Sequence, residues 1–163
     1  VIHNDWRFDN VILDPQQPTQ VIGVLDWEMA TLGDPLMDLG SALAYWIQED
    51  DDALMKSSRR QPTNLKGMLT RQQVVDYYLD KTGLQPENWA FYEVFGLFRL
   101  AVIAQQIYYR YYHQQTDNPA FKDFWILIHA LHIRALKLIA ANNAEAQQLI
   151  PEYGAKLQDI LKR

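Results

Sequence analysis

Asp5, Asn10 and Asp26 are the residues of this chain whose types and spacing could do chemistry together. The first two lie in His3-Asn4-Asp5-Trp6-Arg7-Phe8-Asp9-Asn10, an H-x-D-x-x-x-x-N pattern, and the third opens Asp26-Trp27-Glu28. A carboxylate can orient an alcohol and accept its proton as the oxygen forms a new bond. A second carboxylate with an amide oxygen suits Mg²⁺, a hard cation that keeps several waters and takes one or two protein carboxylates. Such a set serves phosphoryl transfer, where charge spreads over three oxygens and the protein mainly positions reactants and supplies positive charge through metal. Asp5 is therefore expected to take the hydroxyl proton, late in the step because an ordinary Asp titrates near about pH 4. Asn10 and Asp26 are expected to hold Mg²⁺ and, with it, the phosphates of ATP. The competing reading makes these residues turn and capping groups, since Asp and Asn favour such positions.

The elements that must position them are legible around them. Val11-Ile12-Leu13-Asp14 and Val21-Ile22-Gly23-Val24-Leu25 are short, β-branched, apolar segments on either side of a turn at 15–19, which predicts a hairpin. The hairpin brings Asn10 and Asp26 to one edge. A catalytic loop followed through a hairpin by an Asp is the layout of kinase-type enzymes, and that register argues against the capping reading.

Residues 1–45 resemble the aminoglycoside phosphotransferase and choline kinase superfamily, whose usual loop reads H-G-D-x-x-x-x-N. Together with Val24-Leu25-Asp26-Trp27-Glu28 and Leu32-Gly33-Asp34-Pro35-Leu36-Met37-Asp38, the loop is similar to the kinase-like domains fused to, or encoded beside, acyl-CoA dehydrogenases. Tyr77-Tyr78, Asn88-Trp89 and Phe98-Arg99-Leu100-Ala101 extend the likeness to about residue 118. The resemblance implies that Asp38 braces the catalytic loop by accepting backbone amides, with His3 and Arg7 as further structural support. Asn4 stands where the superfamily has Gly, and Asn tolerates a left-handed backbone. Glu28 stands where protein kinases have the Gly of D-F-G; it adds a second carboxylate for metal or is a solvated loop charge. The acceptor implied is a small-molecule hydroxyl, a hydroxyacyl-CoA or hydroxy acid rather than an antibiotic.

Kinase-type sites also need a nucleotide-covering lobe with a Gly-rich loop and a strand Lys. The seven Gly residues are scattered and form no such motif. The expectation is a C-terminal lobe over 1–163 whose N-terminal nucleotide-binding lobe is the partner within the same polypeptide, the fragment alone being inactive. A chain of 163 residues with 48% apolar content can bury one core. The formal net charge of −5 offers no basic footprint for nucleic acid. It favours metal over a bare basic pocket for handling phosphates. Without cysteine there is neither disulfide nor thiolate chemistry, and a cytoplasmic location is expected.

Asp34-Pro35 predicts a helix start, with Leu36, Leu39, Leu43, Trp46 and Ile47 at helical spacing to about Gln48. Gly33 before it is expected to permit a tight turn. Residues 49–66 show no periodicity and read as a mobile surface loop; Lys56, Arg59, Arg60 and Lys66 are solvated charges there or contacts to CoA phosphates. Thr70 and Gln73 form a capping box, and Gly83 a stop. A central buried helix follows over 88–115, interrupted by Glu93, Arg99, Gln105 and Gln106 and so short of an uninterrupted membrane span. Arg99 is expected to pair with Glu93 or to face the acceptor, and the Tyr108–His113 cluster to end this helix with one wet face. Asn118-Pro119 predicts a helix through Ala141, ended by Asn142-Asn143, with His129 and His132 structural. A last amphipathic element bends at Pro151 and Gly154.

The fold expected is α+β and mainly α: the helical C-terminal lobe of a protein-kinase-like fold, with a small hairpin carrying the catalytic and metal residues. The function expected is transfer of the γ-phosphoryl group of ATP to an alcohol. No nucleic acid or membrane partner is expected, and a homodimer is left open. The alternatives are a non-catalytic helical docking module, an aminoglycoside-modifying kinase, and a metal hydrolase built on Asp5, Asn10, Asp26 and Glu28.

Overall fold

The computed structural model describes residues 1–141 and 143–161. Strand β1 (Val11–Leu13) pairs antiparallel with β2 (Val21–Val24), Val11 opposite Val24 and Ile12 opposite Gly23, with a register irregularity at Leu13. Asp14 Oδ1 accepts the Gln16 and Gln17 amides at 2.7 and 3.1 Å, the side-chain chemistry that reverses the chain. The other regular elements are helical: α1 (Pro35–Ala44), α2 (Ala53–Ser57), α3 (Arg71–Thr82), α4 (Trp89–Tyr112), α5 (Phe124–Ala140) and α6 (Ala144–Leu161). Helix α4 packs on α1 and α5, and α6 packs on α5. The core lies among Ala44, Ile47, Met55, Leu97, Ala130 and Leu131.

The start of α1 is as the sequence predicts: Asp34 Oδ1 accepts the Leu36 amide at 2.8 Å and Pro35 occupies the first turn. Its end is a turn earlier than expected. The Tyr45 and Trp46 amides bond the carbonyls of Ala42 and Leu43, which tightens the last turn, and the Ile47 amide is taken by the buried Thr63 hydroxyl at 3.1 Å. Gly33 needs no left-handed backbone. A Cβ there would stand 2.6 Å from Ile2 Cδ1, so close approach of Ile2 explains the glycine.

The expected surface loop at 49–66 is instead partly built into the fold. Asp52 caps α2 through the Met55 amide at 2.9 Å, and Met55, Gln61 and Thr63 are buried. One turn of helix is too short to show periodicity. Of the acidic residues at 49–52, Asp52 serves that cap and Asp51 an ion pair: Asp51 meets the Arg71 guanidinium through two bonds of 2.7 and 2.8 Å, with Arg71 also donating to the Trp46 carbonyl. Burial pushes the Asp51 carboxyl up, but the Arg71 fork and the Gln48 amide outweigh it and hold it below its ordinary 3.8. A depressed value stabilises fully above the unfolded value and is lost as pH falls through the folded one. Thermal stability is therefore expected to fall more steeply below pH 3.8 in the native protein than in Asp51→Asn, read from melting curves across pH.

Helix α3 carries the predicted capping box, and Gly83 ends it at φ 70°. Helix α4 starts on Asn88, whose Oδ1 accepts the Ala90 amide at 3.1 Å. Its 24 residues make it long and apolar enough to cross a membrane, and here it lies between α1 and α5. It is central but not buried all round. Gly96, Leu97 and Ala104 face inward, while Phe91, Phe98, Tyr109 and Tyr112 stay exposed. At the crossing with α1, a Cβ on Gly96 would lie 2.0 Å from the Gly40 carbonyl oxygen, and one on Gly40 2.2 Å from that of Tyr92. Only paired glycines allow this approach.

Arg99 does not pair with Glu93. Glu93 faces Arg134 of α5 at 3.7 Å, and Arg99 forms no ion pair among the described residues. Burial lowers the Arg134 pKa, against the pull of Asp51 and Glu93. The expected helix from Asn118 is split: Pro119–Phe121 is a 3-10 turn, and α5 begins at Phe124. Asn142 lies outside the described residues, as do Lys162 and Arg163. Asn143 caps α6 through the Glu145 and Ala146 amides at 3.0 and 3.2 Å. Helix α6 continues through both Pro151 and Gly154. Its Tyr153 ring packs 4.1 Å from His132 and its hydroxyl meets His129 Nδ1, so this His pair serves the α5–α6 contact.

Candidate active site

The chain enters the site through Ile2, which bonds Thr31 in both directions at 2.8 and 3.1 Å and so ties the start of the loop to the segment after Glu28. The next two backbone amides are held by one side chain. Asp38 accepts His3 N–H on Oδ2 at 2.7 Å and Asn4 N–H on Oδ1 at 2.8 Å. A carboxylate is the group that can accept both without offering a hydrogen of its own. Asn4 is left-handed, φ 65°, and its amide donates to the Met29 carbonyl at 3.0 Å, a bond glycine could not make. Asp38→Asn would turn an NH₂ toward one of the two amides. The expected cost is about 2 kcal/mol for the lost charge-assisted bond, measured by urea unfolding.

His3 is 4% exposed and spans the site. Its Nε2 lies 2.7 Å from the Leu25 carbonyl, and its Nδ1 accepts the Asp5 amide at 3.2 Å. These partners assign the proton to Nε2. The ring lies 4.7 Å from that of Trp27, whose own N–H donates to the Val24 carbonyl. Asp5 is thus set by a histidine that also reads the end of β2.

At the far end of the loop, Asn10 turns back. Its Nδ2 donates to the Asp5 carbonyl at 2.8 Å and to Asp5 Oδ2 at 3.2 Å. The Asn10 carbonyl accepts the Leu25 amide at 2.8 Å, which brings the residue before Asp26 against the loop. Asp26 is left-handed, φ 62° and ψ 55°, and opens a 3-10 turn over Trp27–Met29 that carries Glu28. Asp5, Asn10 and Asp26 are thereby brought to one edge. Asp26 and Glu28 are solvent-exposed.

With its NH₂ committed to Asp5, Asn10 keeps its amide oxygen for another partner, and neither Asp26 nor Glu28 is engaged in an ion pair among the described residues. These are hard oxygen donors. No group of three His, Cys, Asp or Glu gathers among the described residues, so the set is not an all-protein cage. Donors of this kind could hold a hard cation such as Mg²⁺ whose remaining positions are filled by water.

Arg7 points to the other flank. Its guanidinium bonds Asp9, through Nε at 2.9 Å and a shorter Nη2 contact, and lies 5.3 Å from the Tyr45 ring centroid. The mutual hydrogen bonds raise the Arg7 pKa and lower that of Asp9. Burial raises the Tyr45 phenol, with Asp5 adding to it and Arg7 and Arg99 opposing it. Phe8 packs on Trp46 and its amide is accepted by Gln61 Oε1 at 2.9 Å. Tyr45 and Gln61 were not singled out in the sequence. Neither sits in a motif, and only the fold carries them to the loop.

Residues 1–69 match the phosphotransferase enzyme family. Acyl-CoA dehydrogenase family member 10 of Mus musculus is 38% identical over 112 residues, 68% of this chain and 10% of that protein. Acyl-CoA dehydrogenase family member 11 of Homo sapiens is 32% identical over 114 residues, 68% of this chain and 14% of that protein. The chain thus spans a small part of the relatives it matches. In three dimensions it matches the crystal structure of a candidate aminoglycoside phosphotransferase from Ralstonia eutropha. The TM-score is 0.64 at 28% identity, over 80% of this chain and 39% of that one.

Proposed function

We propose that this chain, whose first 69 residues match the phosphotransferase enzyme family and whose fold is the helical lobe of a kinase-like protein, belongs to an ATP- and Mg²⁺-dependent phosphotransferase acting on an alcohol. The acceptor proposed is a small-molecule hydroxyl, a hydroxyacyl-CoA or hydroxy acid. The observation that carries the reading is Asp5, held by Asn10 in a loop braced at both ends, beside the residue that precedes Asp26.

In the reaction the acceptor oxygen forms a bond to the γ-phosphorus, the bond from that phosphorus to the β–γ bridging oxygen breaks, and ADP leaves with the electron pair. Asp5 orients the hydroxyl and receives its proton as the new O–P bond forms. Mg²⁺, when bound by Asn10 and Asp26, neutralises charge on the phosphate oxygens. Asn10 donates to Asp5 and so fixes the carboxylate that faces the acceptor. Asp38 and His3 hold the loop still, which supplies positioning rather than chemistry. The nucleotide is expected to need a covering lobe outside this chain.

The test is Mg²⁺-dependent ADP formation by the complete protein over hydroxyacyl-CoAs, hydroxy acids, choline and aminoglycosides. Formation stimulated by one acceptor class supports the reading and names that class. ADP formed equally without any acceptor supports hydrolysis instead, and absence of both ATP binding and ADP supports a docking module.

A further inference from the structure

On the Arg7 side of the loop, a cavity of about 460 Å³ runs between α1, α4 and α5. Its floor is apolar and closed: Ala44, Ile47, Met55, Ala104 and Leu131 are each 4% exposed or less. Its mouth is polar and cationic, formed by Arg7, Ser58, Arg60 and Asn118. No carboxylate lines it. Arg7 is neutralised by Asp9, so among the described residues the mouth's free cation is the Arg60 guanidinium; it would repel a polycation, whereas an aliphatic chain ending in an anionic group would match both floor and mouth. Arg7 lies two residues after Asp5, so a molecule seated here has its mouth end at the catalytic loop. Two of the floor residues are alanines, and they leave open the depth that larger side chains would fill.

Resting on the phosphotransferase reading above, we propose that this cavity receives the aliphatic chain of the hydroxyl acceptor, that Arg60 holds the acceptor's anionic group at the mouth, and that Ala104 sets the longest chain accepted. The anion is a carboxylate in a free hydroxy acid and a phosphate in a coenzyme A thioester. Of the four basic residues at 49–66, Arg60 is the one that lines the cavity; Lys56, Arg59 and Lys66 do not.

The test is calorimetric binding to the complete protein, without nucleotide, of straight-chain hydroxy acids from hydroxybutyrate to hydroxydecanoate and of their coenzyme A thioesters. Affinity is expected to rise about fourfold per added methylene until the cavity is full, then level. A104L is expected to move that plateau to shorter chains, weakening hydroxydecanoate tenfold or more and hydroxybutyrate by less than twofold. R60Q is expected to weaken every length by about tenfold without moving the plateau, and the series in which it does so, free acid or thioester, identifies the anion. Should A104L not fold, I107A enlarges the same cavity and must move the plateau to longer chains. Affinity independent of chain length, or variants that weaken all lengths alike where a shift is expected, overturns the inference. The two readings fail separately. Chain-dependent binding with no ADP formed removes the kinase reading alone, and turnover whose chain preference A104L leaves unchanged removes the cavity assignment alone.

Discussion

Asp5→Asn is expected to lower kcat by about 10²-fold or more while leaving the KM for ATP within a factor of about three, because a proton acceptor contributes on that scale and does not touch nucleotide. The substitution is nearly isosteric. Asn keeps an oxygen that can accept the Asn10 amide, so the loop should hold, and only proton acceptance is lost. Asp26→Ala should also cost about 10²-fold or more in kcat, but with a raised requirement for Mg²⁺, since it removes a metal carboxylate instead of a base. The two variants therefore separate by their Mg²⁺ titrations: unchanged half-saturation in the first, a shift to higher concentration in the second. If both variants kept native turnover, the residues would be the capping groups of the competing reading.

Gly96→Val should be the most damaging substitution for the fold. A Cβ at Gly96 meets the Gly40 carbonyl carbon and oxygen, which are backbone and cannot swing aside, so α1 and α4 must part. Overpacking of this kind costs about 3 kcal/mol or more, enough to leave little folded protein given the marginal stability of domains. Because Asp38 sits on α1, a displaced helix also withdraws the carboxylate from the His3 and Asn4 amides. Gly154→Ala is the control: nothing lies within 4 Å of its Cβ position in α6, and helix propensity should favour Ala by up to about 1 kcal/mol. Circular dichroism melts of the two variants should move in opposite directions.

The contrast between local and long-range information explains what could be read from the chain alone. The hairpin, the Asp34-Pro35 start, the Thr70–Gln73 box and the Gly83 stop were legible because each is satisfied within a few residues of itself. The hydrogen-bonded loop from His3 to Asn10 was legible as a candidate site because its residues stand at fixed spacing on one short turn. The Arg71–Asp51 pair, the early end of α1 at Thr63, and the Glu93–Arg134 pairing were not, since each joins positions far apart in sequence and is decided by packing. Residues 49–66 read as a mobile surface loop because composition carries no record of which carboxylate will meet a guanidinium. Helix α4 read as the central buried helix, and apolar content does not say how many of its faces find neighbours. The Gly40–Gly96 crossing left no local trace: each glycine is an ordinary helical residue until the other arrives.

The most direct measurement of the central claim is ³¹P NMR of the products when the complete protein is given ATP, Mg²⁺ and a stimulating hydroxyl acceptor. A phosphate-monoester resonance coupled to the carbinol proton, formed in step with ADP and absent in Asp5→Asn, is the expected result. Inorganic phosphate formed in place of that ester would contradict it.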